Sequence, residues 1–325
     1  MADTARGAAA PVLSVAKLEY RVSPNFALRH IEFSVTAGEG VAVIGTNGSG
    51  KTTLIRLIAG LLRPGDGTVE ICGTPPRRWG QVSRHIGYVQ QTKELPDGVS
   101  VETYVKHQLK LRRADAGRYE ELIALADLER HHDQYVRTLS GGSQRKLHVI
   151  CAVAHRPDLL ILDEPTTGLD PTARETLLEL LRSLKRDGVG VLFASHHRDE
   201  LVALADSVVV LHEGRQIKDA SLAAVTRSGE RSSLVLEAFA EPHLAQLRSW
   251  AARQVMTSGL IRSAHDVENG VRIALSAGDH RNSLAEVVAR AHAEGIALRS
   301  VSYFAPTLAD VVRAIVEQAE LEQLV

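Results

Sequence analysis

The stretch GTNGSGKT, Gly45 to Thr52, combines glycines, hydroxyl residues and a lysine at the spacing of a loop that wraps phosphate. The glycines let consecutive backbone N–H groups turn toward one anion. Lys51 would reach the β- and γ-phosphates, and the Thr52 hydroxyl would ligate Mg²⁺. Far downstream, LLILDE delivers Asp163, a carboxylate able to hold magnesium through its water shell. Glu164 follows it and could orient or polarise an attacking water. Alone, a strand ending in Asp-Glu reads as a solvated strand end; paired with the loop, it implies a nucleoside triphosphatase. A second anion site lies in TLSGGSQRKLHVI, Thr138 to Ile150, where a Ser-Gly-Gly turn opens into a helix. There, free N–H groups and the positive helix end point the same way.

The elements that must position these residues follow from hydrophobic spacing. VAVIG (Val41–Gly45), LLILD (Leu159–Asp163), VGVLFAS (Val189–Ser195) and SVVVL (Ser207–Leu211) are short, continuously apolar runs, as buried parallel strands are. VLSVAKLEY and HIEFSV alternate apolar and polar residues, the pattern of half-buried strands. KTTLIRLIAGLL, TARETLLELLRSLKRDG and HRDELVALA carry apolar residues at helical spacing. Strands alternating with helices predict an α/β fold, a mostly parallel sheet covered on both faces, with Asp163 at its carboxyl edge. Residues 92–138 turn helical and read as an insertion. Residues 1–11 are expected to form a loose tail, 12–225 the main domain, and 226–233 a polar linker. Residues 234–325 then read strand, helix, two strands, helix, strand and a last helix, a small α+β domain of split βαβ type.

Composition narrows the function classes. Among 325 residues, 24% are charged and 44% hydrophobic, as in an ordinary globular protein. A net charge of −1, with both signs interspersed, gives no nucleic-acid footprint. Cys72 and Cys151 stand alone and far apart, which argues against a disulfide framework or zinc site and for a reduced, cytosolic compartment. No apolar run approaches the roughly 18 residues that span a bilayer.

The order GTNGSGKT, YVQQ, LSGG, LLILDEPTTGLD and ASH resembles the ATP-binding subunit of an ABC (ATP-binding cassette) transporter, over roughly residues 12–224. The resemblance implies an ABC-type P-loop core with an antiparallel β edge, ATP and Mg²⁺ as cofactors, and hydrolysis of ATP coupled to transport. The implied nucleotide contacts are Tyr20, Gly45, Asn47, Gly48, Ser49, Gly50, Lys51, Thr52 and Thr53. Tyr20 matches the aromatic that stacks on adenine, with Phe26 as the second candidate. Thr52, Gln91 and Asp163 would attend the magnesium, Glu164 and His196 the γ-phosphate and its attacking water. Asp170 would link the two active sites of a dimer. Ser140, Gly141, Gly142 and Ser143 would face ATP held by a partner chain, so that two ATPase chains, as a homodimer or a heterodimer, sandwich two ATP molecules head to tail. The sequence departs from the family where Gln90 replaces a usual proline and Ser143 a usual glutamine.

The resemblance also implies a separate polytopic membrane subunit, docked near the helical insertion and Gln91, and a place on the cytoplasmic face of the cell membrane. FAPTLADVVRAIVEQ, Phe304 to Gln318, is similar to the closing helix of export-type subunits for drugs, lipids or polysaccharides. Importer subunits more often append a β-rich barrel; an importer or a non-transporting regulator of a membrane partner are the alternatives. A ribosome-acting relative would carry two cassettes, and a chromosome-organising one a long coiled coil between loop and signature. Here these lie 140 − 45 = 95 positions apart, at Gly45 and Ser140. The pairs His131/His132 and His196/His197 are poor chelates because neighbouring side chains diverge. Of these histidines only His196 is expected to act, and Trp79 and Trp250 are expected to pack or lie at the surface.

Overall fold

The computed structural model of the protein describes residues 10–91, 95–221, 233–239, 241–257, 260–267, 269–275 and 280–304, together with Val312. The expected tail up to residue 9, the linker at 226–232 and the closing helix, Val312 apart, lie outside these residues. The chain divides into two compact units, Met1–Leu222 and Ala223–Val325.

The first unit runs β1 (Leu13–Ser23), β2 (Phe26–Val35), β3 (Gly40–Gly45), α1 (Lys51–Ile58) and β4 (Asp66–Ile71). It continues through α2 (Trp79–Val82), β5 (Ile86–Val89), α3 (Val101–Leu111), α4 (Tyr119–Leu125) and α5 (Gly141–Val153). Next come β6 (Leu159–Asp163), α6 (Pro171–Arg186), β7 (Gly190–Ala194), α7 (Arg198–Leu204), β8 (Ser207–His212) and β9 (Arg215–Ser221). One nine-stranded sheet joins them in the order β4-β1-β2-β9-β8-β3-β7-β6-β5. Its centre is parallel: β8, β3, β7, β6 and β5 run one way, while β1 pairs antiparallel with both β2 and β4. The continuous apolar runs are the central strands, with every residue of β6 and β7 buried. The alternating segments form the antiparallel edge.

Register decides where the functional residues emerge. Val43 of β3 and Asp163 of β6 both lie beside Ala194 of β7, so β6 and β7 end level and β3 runs on to Gly45. The loop after Gly45, Glu164 after Asp163 and Ser195–His196 after Ala194 therefore leave the sheet at the same edge. Strands β4, β5 and β9 are not anticipated by the sequence patterns above. β5 has only four residues, IGYV, too short to show a period.

The second unit holds four antiparallel strands, β10 (Ser233–Ala238), β11 (Ile261–Val267), β12 (Gly270–Leu275) and β13 (Leu298–Phe304), ordered β11-β12-β10-β13. Helices over Glu241–Thr257 and His280–Ala293 complete a split βαβ arrangement. Trp250 is fully buried in its core, and its indole N–H donates to Glu294 at 3.1 Å.

Close beneath α5, His155 sets its Nε2 3.0 Å from the Ile86 carbonyl and its Nδ1 3.5 Å from Arg112. Burial, aided by the Arg112 charge, pushes the imidazole down to about 4. An unfolded histidine titrates near ~6.5. The neutral form is the one the fold accepts, so its contribution is fully present above about 6.5 and is lost as pH falls toward about 4. We expect thermal stability to drop between pH 7 and pH 5, and His155→Gln to flatten that drop. Equal pH slopes for the two proteins in thermal melts would remove His155 as the source.

Candidate functional site

The phosphate-type loop leaves β3 and enters α1 through Gly50, whose φ of 106° is open to glycine and strained for other residues. A side chain there would also meet Leu28 Cδ2 at 2.4 Å, so the loop lies tight on β2. Lys51 is folded back over the loop, its Nζ donating to the carbonyls of Gly45 at 3.0 Å and Thr46 at 3.1 Å. The Ser49 hydroxyl is buried and has no hydrogen-bond partner among the described residues. A buried, unsatisfied hydroxyl beside a lysine ammonium and a helix N-terminus suits a bound phosphate chain. Thr46, Asn47 and Gly48 are exposed, whereas Thr52 and Thr53 are half-buried.

Across the strand edge, Thr52 Oγ1 lies 3.4 Å from Asp163 Oδ1. Burial first, then the neighbouring Glu164 charge, raises the Asp163 carboxyl above its usual range. Burial lowers the Lys51 ammonium, while Glu164 and Asp163 oppose that shift. Hydroxyl and carboxylate oxygens this close are the hard donors that Mg²⁺ takes, and a bound cation would relieve the crowding of Asp163 by Glu164.

Glu164 has φ 46°, a left-handed conformation unusual for a residue with a side chain. Such strain persists where its surroundings over-determine it, often at functional sites. Its Oε2 accepts from Gln91 Nε2 at 2.9 Å and from Thr167 Oγ1 at 3.0 Å, and its Oε1 lies 3.3 Å from His196 Nδ1. Gln91, Glu164 and His196 are thus assembled around one carboxylate from three separate segments. Thr167 sits in the quoted TTGLD run, yet nothing in its spacing marks its hydroxyl as a partner of Glu164.

The other expected residues have local structural duties. Ser140 caps α5 by accepting from Ser143 N at 3.2 Å, and its hydroxyl donates to Ser143 Oγ at 3.0 Å. Asp170 caps α6 by accepting from Thr172 N and Ala173 N, both at 3.0 Å. A side chain at Gly142 would meet Ala173 Cβ at 2.6 Å, so this glycine also lets α5 approach α6. Gly141 has more room, with Leu169 Cδ2 at 3.9 Å as its only such neighbour among the described residues. Tyr20 is half-buried against the core, whereas Phe26 Cζ lies 3.4 Å from where a Gly50 side chain would begin. His197 is partly covered, and burial lowers its imidazole.

Two other groups of ligating atoms each lie within 4.8 Å: Cys72/His85/Asp158 and Glu102/His132/Asp133. Both are already paired internally. His85 Nδ1 is 2.6 Å from Asp158 while its Nε2 accepts from Arg84, and Glu102 accepts from Lys106. The nearby cations disfavour a metal in either.

The family model described as ABC transporter matches residues 28–167. The Nod factor export ATP-binding protein I of Burkholderia lata is 35% identical over 216 residues, covering 65% of this chain and 71% of that protein. Its namesake from Ralstonia nicotianae is 36% identical over 212 residues, covering 64% of this chain and 66% of that protein. A solved structure described as the ATP-binding subunit of an ABC transporter aligns with TM-score 0.60 and 31% identity, over 66% of this chain and 92% of its own.

Lys51→Ala should weaken nucleotide binding about tenfold or more, the ~1.5–3 kcal/mol of a charge-assisted bond. Titration with a fluorescent ATP analogue measures it; unchanged affinity would remove Lys51 from the phosphate contacts.

Proposed function

Since the chain belongs to the ABC transporter family as an ATP-binding, ATP-hydrolysing subunit, we propose that hydrolysis takes place at the strand edge carrying Lys51, Asp163 and Glu164. The observation that carries this is the convergence of Gln91, Thr167 and His196 on the Glu164 carboxylate, beside the Thr52–Asp163 pair. Lys51, the loop N–H groups and Ser49 bind the β- and γ-phosphates. Thr52 and Asp163, with Gln91 near them, would hold Mg²⁺, which supplies charge neutralisation on the phosphates. Glu164 accepts a hydrogen bond from the attacking water, Gln91 and Thr167 orient Glu164, and His196 donates toward the γ-phosphate. For the adenine, Phe26 is the better-placed ring, because it lies against the phosphate loop while Tyr20 is half-buried against the core.

The chain works, on this reading, as a pair of ATPase subunits in head-to-tail contact. Ser140, Gly141 and Gly142 of one chain meet the γ-phosphate held by Lys51 of the other, with the α5 N-terminus adding its positive end. A phosphate bridging two surfaces biases a two-state element: closed with ATP, open after hydrolysis.

No helix among the described residues is long and apolar enough to cross a membrane. On the family relationship, a separate polytopic subunit forms the pathway and this chain sits peripherally on the cytoplasmic face. Its dock is the groove lined by exposed Leu61, Trp79 and Leu111 with Arg84, Arg112 and Arg113. That lining suits a segment presenting apolar and acidic side chains. The direction is export, supported by the names of the relatives and by the Phe304–Gln318 stretch.

Glu164→Gln should keep ATP binding, lower hydrolysis by about 10²-fold or more as loss of a general base does, and run as a dimer on gel filtration with ATP. Turnover at the wild-type rate would discard Glu164 as the water-orienting carboxylate.

A further inference from the structure

Arg145 lies on α5, beyond the Ser-Gly-Gly turn, and is only 8% exposed. Its guanidinium makes no hydrogen bond to a side chain among the described residues; each of its nitrogens goes to backbone carbonyls. Nε donates to Pro165 O at 2.7 Å, and Nη2 to Asp163 O at 3.2 Å and Glu164 O at 3.1 Å. On its other side, Nη1 donates to Gln90 O at 2.5 Å and Gln91 O at 3.1 Å. One side chain thus ties together the segment that carries Gln91 and the segment that carries Asp163 and Glu164.

We infer that Arg145 is a positioning residue for hydrolysis, holding the backbones of Gln91 and Glu164 so that their side chains meet in the geometry that orients water. The inference rests on the roles given above to Glu164 and Gln91. A planar guanidinium offers five donors in fixed directions and so reaches carbonyls of both strand ends at once, whereas an ammonium offers three donors from a single point. Glu164 holds a left-handed backbone conformation, which neighbouring groups must enforce, and Arg145 bonds the carbonyls of that residue and of both its neighbours. Gln90 stands where the family usually has proline, so the backbone before Gln91 lacks a ring to fix φ. The Arg145 bonds to Gln90 O and Gln91 O supply that restraint instead. Because Arg145 and the Ser140–Gly142 turn share α5, the same clamp makes the anion-facing turn of one site mechanically continuous with the water-orienting pair of the chain's own site.

The test is Arg145→Lys in the full chain, which keeps the cation and most of the length. Steady-state ATPase assays should show kcat lowered by about 10- to 100-fold, the cost of a misplaced catalytic group. ATP affinity, read with a fluorescent analogue, and the melting temperature should stay close to wild type. An unchanged kcat would overturn the inference. So would a parallel fall in kcat, affinity and melting temperature, because that marks general support of the fold. A second readout is the combination with Gln91→Ala. If Arg145 acts through the Gln91–Glu164 pair, the double variant loses less than the product of the two single losses; a full product contradicts it. Glu164→Gln serves as the control. Retained turnover there defeats the site reading itself, while a dead Glu164→Gln beside a normal Arg145→Lys defeats this inference alone.

Discussion

The site depends on strand register. Val43, Ala194 and Asp163 occupy one row across β3, β7 and β6, and the phosphate-type loop, Gln91, Glu164 and His196 leave the sheet within a few residues of that row. Parallel strands with apolar side chains on both faces can be buried from end to end, and a one-residue slip would turn each strand's side chains over. The central sheet is therefore a rigid frame that fixes the distance between Lys51, on a loop and helix, and Glu164, on a strand end. Loops alone could not hold a phosphate cradle and a water-orienting carboxylate at constant separation.

Such a frame concentrates charge at a half-buried edge. Lys51, Asp163 and Arg145 are all desolvated, and burial is the largest influence on each of them. Their arrangement differs in kind. Arg145 is satisfied by the carbonyl oxygens of the two segments it joins. Lys51 leans on the carbonyls of its own loop, contacts that a phosphate can replace. Asp163 is raised toward neutrality partly by Glu164, a strain that a divalent cation would remove. Ser49 keeps a buried hydroxyl without a partner in the described structure. The groups that lack good partners thus face where the polyanion and its metal would lie, and those that have them face the protein.

Much of this could be read from the residues alone. The central strands declare themselves as continuous apolar runs, and the turn from β3 into α1 as glycines before Lys51 and Thr52. The β-α-β-β-α-β order of the second unit also follows from alternating and helical spacing. What escaped has physical reasons. β5 is too short for periodicity, and β4 and β9 gain their place from pairing with neighbours distant in sequence. Gly142 reads as anion chemistry, yet its close approach to Ala173 is a packing demand visible only in three dimensions. Which of the rings of Tyr20 and Phe26 borders the loop is not encoded by spacing along β1 and β2. Arg145 is the hardest case. It looks like one more basic residue on a helix, and bonds from a side chain to backbone carbonyls leave no pattern in the identity of their partners.

The central claim is that one active site is assembled from two chains. It is tested most directly by mixing two inactive proteins, one carrying Lys51→Ala and the other Gly141→Asp, a position with room for the new side chain. In a mixed pair one site collects both lesions, while the other joins an intact phosphate loop to an intact Ser-Gly-Gly turn. Measured ATP hydrolysis should appear in the mixture although neither protein alone supports it. A mixture as inactive as its components would contradict the two-chain site.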